Sequence, residues 1–173
     1  TPKAQGLDRL PLSGSRLGAS FMKSIRLKIL AMLAIVAGGA ILSAHWHGVP
    51  VLAPTPSPGV ASHVLGAEAC FPLVPFGNRI EDNCFHFEGQ SYVLTPNTAD
   101  PLVLHGDGWL KRWSILRQTR REIVFRYAQA ASAATPFAYE ATQTIALGDD
   151  RLSLSLTVTN RASRALPYGL GFH

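Results

Sequence analysis

Catalytic signatures are scarce in this 173-residue chain. It holds no GxSxG, no Walker loop and no GxGxxG, so the usual sequence marks of serine hydrolases, P-loop enzymes and dinucleotide enzymes are missing. Cysteine occurs twice, at Cys70 and Cys84, without a CxxC. Two thiols could pair in an oxidising compartment, but they do not make a disulfide scaffold, and zinc-ligand spacing is lacking. Glu68, Glu81 and Asp82 show no pairing of the kind a glycosidase dyad needs. Excess positive charge is also missing from most of the chain. The formal charge is +5, yet Lys3, Arg9, Arg16, Lys23, Arg26 and Lys28 stand against Asp8 alone. The remaining 145 residues hold ten basic and ten acidic side chains. Without a basic face there is nothing for counterion release to act on, which excludes nucleic acid as a partner.

What is present is apolar: 47% of residues, enough for a domain with its own core and against disorder overall. Residues 1–28 read as a basic leader, either disordered or upstream of a native start at Met22. The stretch Ile29 to Ala44, "ILAMLAIVAGGAILSA", has sixteen residues and no charge. Basic residues followed by an apolar run are the pattern of a signal peptide, although a spanning helix wants ~20 residues. The competing reading is two buried strands meeting at Gly38-Gly39, because glycine pairs make the bends of all-β folds. On that reading a strand continues to a His47-Gly48 turn and returns. The two readings lead to different places, export or a membrane anchor on one side and the cytoplasm on the other.

After Val51 the chain is a succession of short strands and turns. "CFHFEGQSYVLTPN" (84–97) predicts a hairpin turning at Glu88-Gly89-Gln90. "WSILRQT" and "EIVFRYAQA" predict a second strand pair. In 137–162 Ile145 and Leu147 lead into a Gly148-Asp149-Asp150 turn, after which Leu152, Leu154, Leu156 and Val158 alternate with polar residues. Hairpins at this spacing, without helical periods, predict an all-β antiparallel sandwich or barrel.

Three segments do not read as plain sandwich text. In "CFPLVPFGNRI" (70–80), Pro72 and Pro75 oppose regular pairing, and Asn78-Arg79 closes an apolar run. A planar guanidinium suits vicinal hydroxyls or a carboxylate, or bridges loop carbonyls structurally. In "LHGDGW" (104–109), glycines beside His105 allow close approach to the backbone, and Trp109 offers an aromatic face to a sugar; a tight turn capped by histidine is the plain alternative. In "PYGLGFH" (167–173), Gly169 and Gly171 leave room on one strand face, and His173 points away from Phe172. Histidine is the commonest general acid or base. His45 and His47 would share a strand face as surface groups, His63 lies near a flexible loop, and His86 is expected to be exposed on its hairpin.

Taken together and in order, these segments resemble the aldose 1-epimerase (galactose mutarotase) family. "GGAI" (38–41), "CFPLVPFGNRI", "FHFEGQSYVLTPN", "LHGDGW", "FAYEATQTIALGDDRLSLSLTVTN" and "LPYGLGFH" carry the resemblance, over about five-sixths of the chain from Ile29. It implies an antiparallel β-sandwich of the galactose mutarotase type, in its amino-terminal half to two-thirds, across residues 29–173. It favours strands over an anchor for Ile29–Ala44, and a cytoplasmic location. It implies anomer interconversion of a free hexose without cofactor or metal. His173 would be the general acid at the ring oxygen, and His105 would bind and polarise the sugar. Arg79, Asn78 and Trp109 would bind it. The family's general base, a glutamate, and the strands that close the sandwich lie beyond His173, so residues 1–173 alone are expected to be inactive and, with strand edges and apolar faces exposed, poorly soluble. Two alternatives remain: a carbohydrate-binding sandwich without catalysis, and a tethered β-sandwich interaction domain.

Overall fold

A computed structural model describes residues 39–53 and 68–173. The basic leader, residues 29–38 of the apolar run, and His63 lie outside the described residues. The described elements are strands apart from two 3-10 turns, Glu81–Asn83 and Gly108–Leu110. The strands are β1 (His45–Trp46), β2 (Val49–Pro50), β3 (Pro72–Leu73), β4 (Cys84–Phe87), β5 (Gln90–Val93), β6 (Ser114–Gln118), β7 (Glu122–Gln129), β8 (Tyr139–Leu147), β9 (Leu152–Asn160) and β10 (Gly171–Phe172). Every named strand pair is antiparallel, as the hairpin spacing predicts.

The main sheet runs β6-β7-β8-β9. Its inner face follows the period of two. Ile123, Phe125 and Tyr127 on β7 are buried, as are Tyr139, Ala141, Gln143 and Ile145 on β8. Leu152, Leu154, Leu156 and Val158 continue that face on β9, but only half-buried, because β9 borders the described sheet. Ile41, Cys70, Val74, Leu94, Val103, Trp113 and Leu166 pack against this face. Each fully buried apolar side chain contributes roughly 1.5–3 kcal/mol, so this layer is what holds the loops of the site in place.

The short hairpins follow their turn residues. His47-Gly48 and Glu88-Gly89 have positive φ at both positions, the condition for a two-residue turn that matches strand twist. Gln90, expected in the turn, is instead the first residue of β5. His47 departs from expectation too. It lies in the turn at φ 51°, with its ring edge-on to Trp46, so it does not share a strand face with His45. His86 is exposed, as expected. The described end of the apolar run, from Gly39, lies in the core: Ile41 is 2% exposed and Ala44 0%, and Ile41 bridges Cys70. Cys70 and Cys84 do not pair; burial pushes the Cys70 thiol up. Among the described residues no helix is long and apolar enough to cross a membrane.

Candidate functional site

Proline decides how the first segment is built. β3 is two residues long and pairs with β10, Pro72 facing Phe172 and Leu73 facing Gly171. The His173 N–H donates to the Phe71 carbonyl at 2.9 Å, so Pro72 falls at the neighbouring position of the ladder where no N–H is required. Pro72 therefore pairs, contrary to expectation, while the cis Val74–Pro75 peptide bond marks where the pairing ends. Because Phe71 and His173 are opposite each other, their side chains share a face. Their rings stack at 4.6 Å with planes 8° apart. Trp109 stacks on Phe71 at 5.6 Å.

The second imidazole comes from the 104–109 loop. His105 (φ 59°) and Gly106 (φ 64°) are both left-handed. Arg79 and Leu104 form a bridge, which places His105 beside Asn78. His105 N–H donates to the Asn78 carbonyl at 2.9 Å, and Asn78 N–H donates to His105 Nδ1 at 2.8 Å. An Nδ1 that accepts leaves the neutral ring's proton on Nε2, so His105 offers a donor rather than a base. Its ring lies 5.5 Å from that of His173 and nearly perpendicular to it. Desolvation lowers the His105 pKa below its usual value, and the charges of His173 and Arg79 add to that.

Arg79 has a partner in the chain: Nε and Nη2 both donate to Asp100 Oδ2, at 2.9 and 2.6 Å. Asp100 is in turn held by the Leu102 N–H at its other oxygen, and those donors, Arg79 first, keep its carboxyl below the usual range. The guanidinium is still about half exposed. Trp109 is buried, at 7% exposure, and its indole N–H donates to the carbonyls of Leu104 and Gly106. It stands behind Phe71 in the stack.

Thus His105, His173, Asn78, Arg79 and Trp109, which are scattered in sequence, gather around the β3–β10 pair. The other histidines do not join them: His45 and His47 are in the β1–β2 hairpin, and His86 is on β4. Among the described residues no group of three or more His, Cys, Asp or Glu could hold a metal. Sequence reasoning missed Phe71, Asn97 and Asp100. The Asn97 carboxamide donates to the carbonyls of Leu104 (2.9 Å) and Gly106 (2.6 Å) and accepts from Leu104 N–H (2.9 Å). Phe71 was visible as the aromatic before Pro72, but nothing in the sequence said which ring it would meet.

Comparison with known proteins bears on the fold and the family. The sequence profile described as aldose 1-epimerase matches residues 28–173. The Escherichia coli K12 protein YphB, itself uncharacterised, is 35% identical over 137 residues, covering 78% of this chain and 45% of its own length. A crystal structure of a candidate aldose 1-epimerase from E. coli K12 superimposes with TM-score 0.69 at 35% identity, over 78% of this chain and 44% of that one. A galactose mutarotase-like protein from Clostridium acetobutylicum shares the fold at TM-score 0.68 and 18% identity, over 80% of this chain and 45% of its own. The chain spans about half the length of the curated and solved relatives it matches. Its antiparallel strands and the profile match over the greater part of its length agree: this chain belongs to the aldose 1-epimerase family.

Proposed function

We propose that this chain binds the ring of a free hexose and forms the acid side of an anomer-interconverting centre. The observation that carries the reading is the pair of imidazoles 5.5 Å apart, one of which has its Nδ1 tied to the backbone. In the proposed reaction His173 donates a proton to the ring oxygen while a base takes the proton of the C1 hydroxyl. The C1–O5 bond breaks and C1 becomes an aldehyde. Rotation about C1–C2 and the reverse proton transfers close the ring as the other anomer. The Nε2–H of His105 and the half-exposed guanidinium of Arg79 hold sugar oxygens, with Asn78 at the rim. Trp109 serves from behind, as support for Phe71. The reaction needs acid and base alone, so it calls for no cofactor or metal.

The base is the part these residues do not provide: His105 is set as a donor, and Asp100 is committed to Arg79. The family resemblance implies a glutamate beyond the stretch matched here. This chain by itself is therefore expected to bind hexose while leaving mutarotation at its spontaneous rate. Titrating galactose and glucose against the imidazole resonances tests the binding. Saturable shifts at His105 and His173, absent in His105→Gln, support it; unmoved imidazoles up to the solubility of the sugars overturn it. Polarimetry tests the division of labour, and accelerated mutarotation would place the base within this chain.

A further inference from the structure

We infer that Asn97 is a positioning residue for His105, setting the direction in which its Nε2–H is presented. The backbone on either side of His105 is held by one side chain. Asn97 Nδ2 donates to the carbonyl before His105, on Leu104, at 2.9 Å, and to the carbonyl after it, on Gly106, at 2.6 Å. Its Oδ1 accepts the Leu104 N–H at 2.9 Å. The indole of Trp109 donates to the same two carbonyls, at 3.1 and 3.0 Å. His105 itself is in the left-handed region, which a non-glycine residue keeps only when its surroundings determine it. The opposite side of the loop is closed: a Cβ on Gly106 would lie 2.6 Å from the Val74 carbonyl oxygen. The loop is thus pressed against Val74 and Pro75 on one side and hydrogen-bonded by Asn97 at both flanks of His105.

A carboxamide fits this place. Beside the Trp109 indole it gives each of the two carbonyls a second donor, and it supplies the acceptor for the Leu104 N–H. The isosteric Asp would turn a carboxylate oxygen toward two carbonyl oxygens. Asn83 makes an instructive contrast. It holds the same loop, donating to the Pro101 carbonyl at 2.9 Å and accepting the Val103 N–H at 2.6 Å, but it does not flank His105. Loss of Asn83 should loosen the loop without turning the imidazole.

The importance of this placement for sugar rests on the proposed function; the placement itself does not, and the test keeps them apart. Imidazole nitrogen shifts are recorded for the protein and for Asn97→Asp, Asn97→Ala and Asn83→Ala, followed by galactose titration. The expected result is a single Nε2–H tautomer of His105 in the starting protein and in Asn83→Ala. Both Asn97 variants should show averaging of the two tautomers, with His173 unchanged. Galactose affinity should fall about tenfold in the Asn97 variants, the factor for one misdirected hydrogen bond. Asn97→Ala provides the readout if Asn97→Asp does not fold. A His105 tautomer that stays fixed in Asn97→Ala, or that is lost equally in Asn83→Ala, overturns the inference. If the starting protein binds no galactose, the proposed function fails while the tautomer result still decides the role of Asn97.

Discussion

Gly106 is the residue with the least freedom in the site. Its φ of 64° is costly for any side chain, by about 1–2 kcal/mol. A Cβ there would also meet Val74 backbone at 2.6 Å, and backbone cannot swing aside. Gly106→Ala is therefore expected to cost at least about 2 kcal/mol, read as a lower urea midpoint at unchanged slope. The neighbouring His105 was legible in the sequence because a histidine beside two nearby glycines is an unusual spacing. His173 was legible only through its family context. Asn97 and Asp100 were not legible, because a side chain that bonds to a loop's backbone is defined by the path of that loop. Asn97 is seven residues from Leu104, a separation that no local pattern encodes.

At the scale of elements, β8 carries an anomaly. Gln143 is fully buried on the core face, and neither its Oε1 nor its Nε2 has a hydrogen-bond partner among the described residues. A buried polar group without partners costs about 1–3 kcal/mol. Gln143→Met keeps the length of the side chain and removes both polar atoms, so it should stabilise the chain by about that amount. A thermal melt checks this: a raised midpoint is expected, and a lowered one would mean that the amide is satisfied after all. Strands β7, β8 and β9 were legible because eight or nine residues of alternation leave a clear period. Of the two-residue strands, β1 and β10 were legible through the His47-Gly48 turn and the glycines of 167–173, whereas β3 was not: Pro72 and Pro75 argue against a strand there, and it exists through a partner close only in space. The Leu row of β9 alternates as cleanly as its neighbours yet is only half-buried; alternation reports which face a residue takes, not how well that face is covered.

For the whole molecule, acid stability follows from the site. The folded protein holds His105 below its usual pKa, through desolvation and the positive charge of His173 and Arg79. The unfolded chain, with an ordinary histidine near 6.5, binds the extra proton more readily. Stability is then fully present above about pH 6.5 and falls as pH drops through the folded-state value. Asp100, lowered by Arg79, contributes its own loss only further into acid. Urea midpoints at a series of pH values should begin to fall as pH drops below about 6.5. His105→Gln should flatten that step while leaving the one near Asp100. A midpoint that is flat across this range in the starting protein would show that His105 titrates alike in both states. Pro72, finally, does more than shorten a strand. If β3 were turned over in its pairing with β10, Pro72 would move to a position of the ladder that must donate, and it has no hydrogen to give. The same turn would carry Phe71 to the other side of the pair, away from His173. A missing N–H thus fixes which face β3 presents, and the stack of Phe71 on His173 depends on an atom the protein does not have.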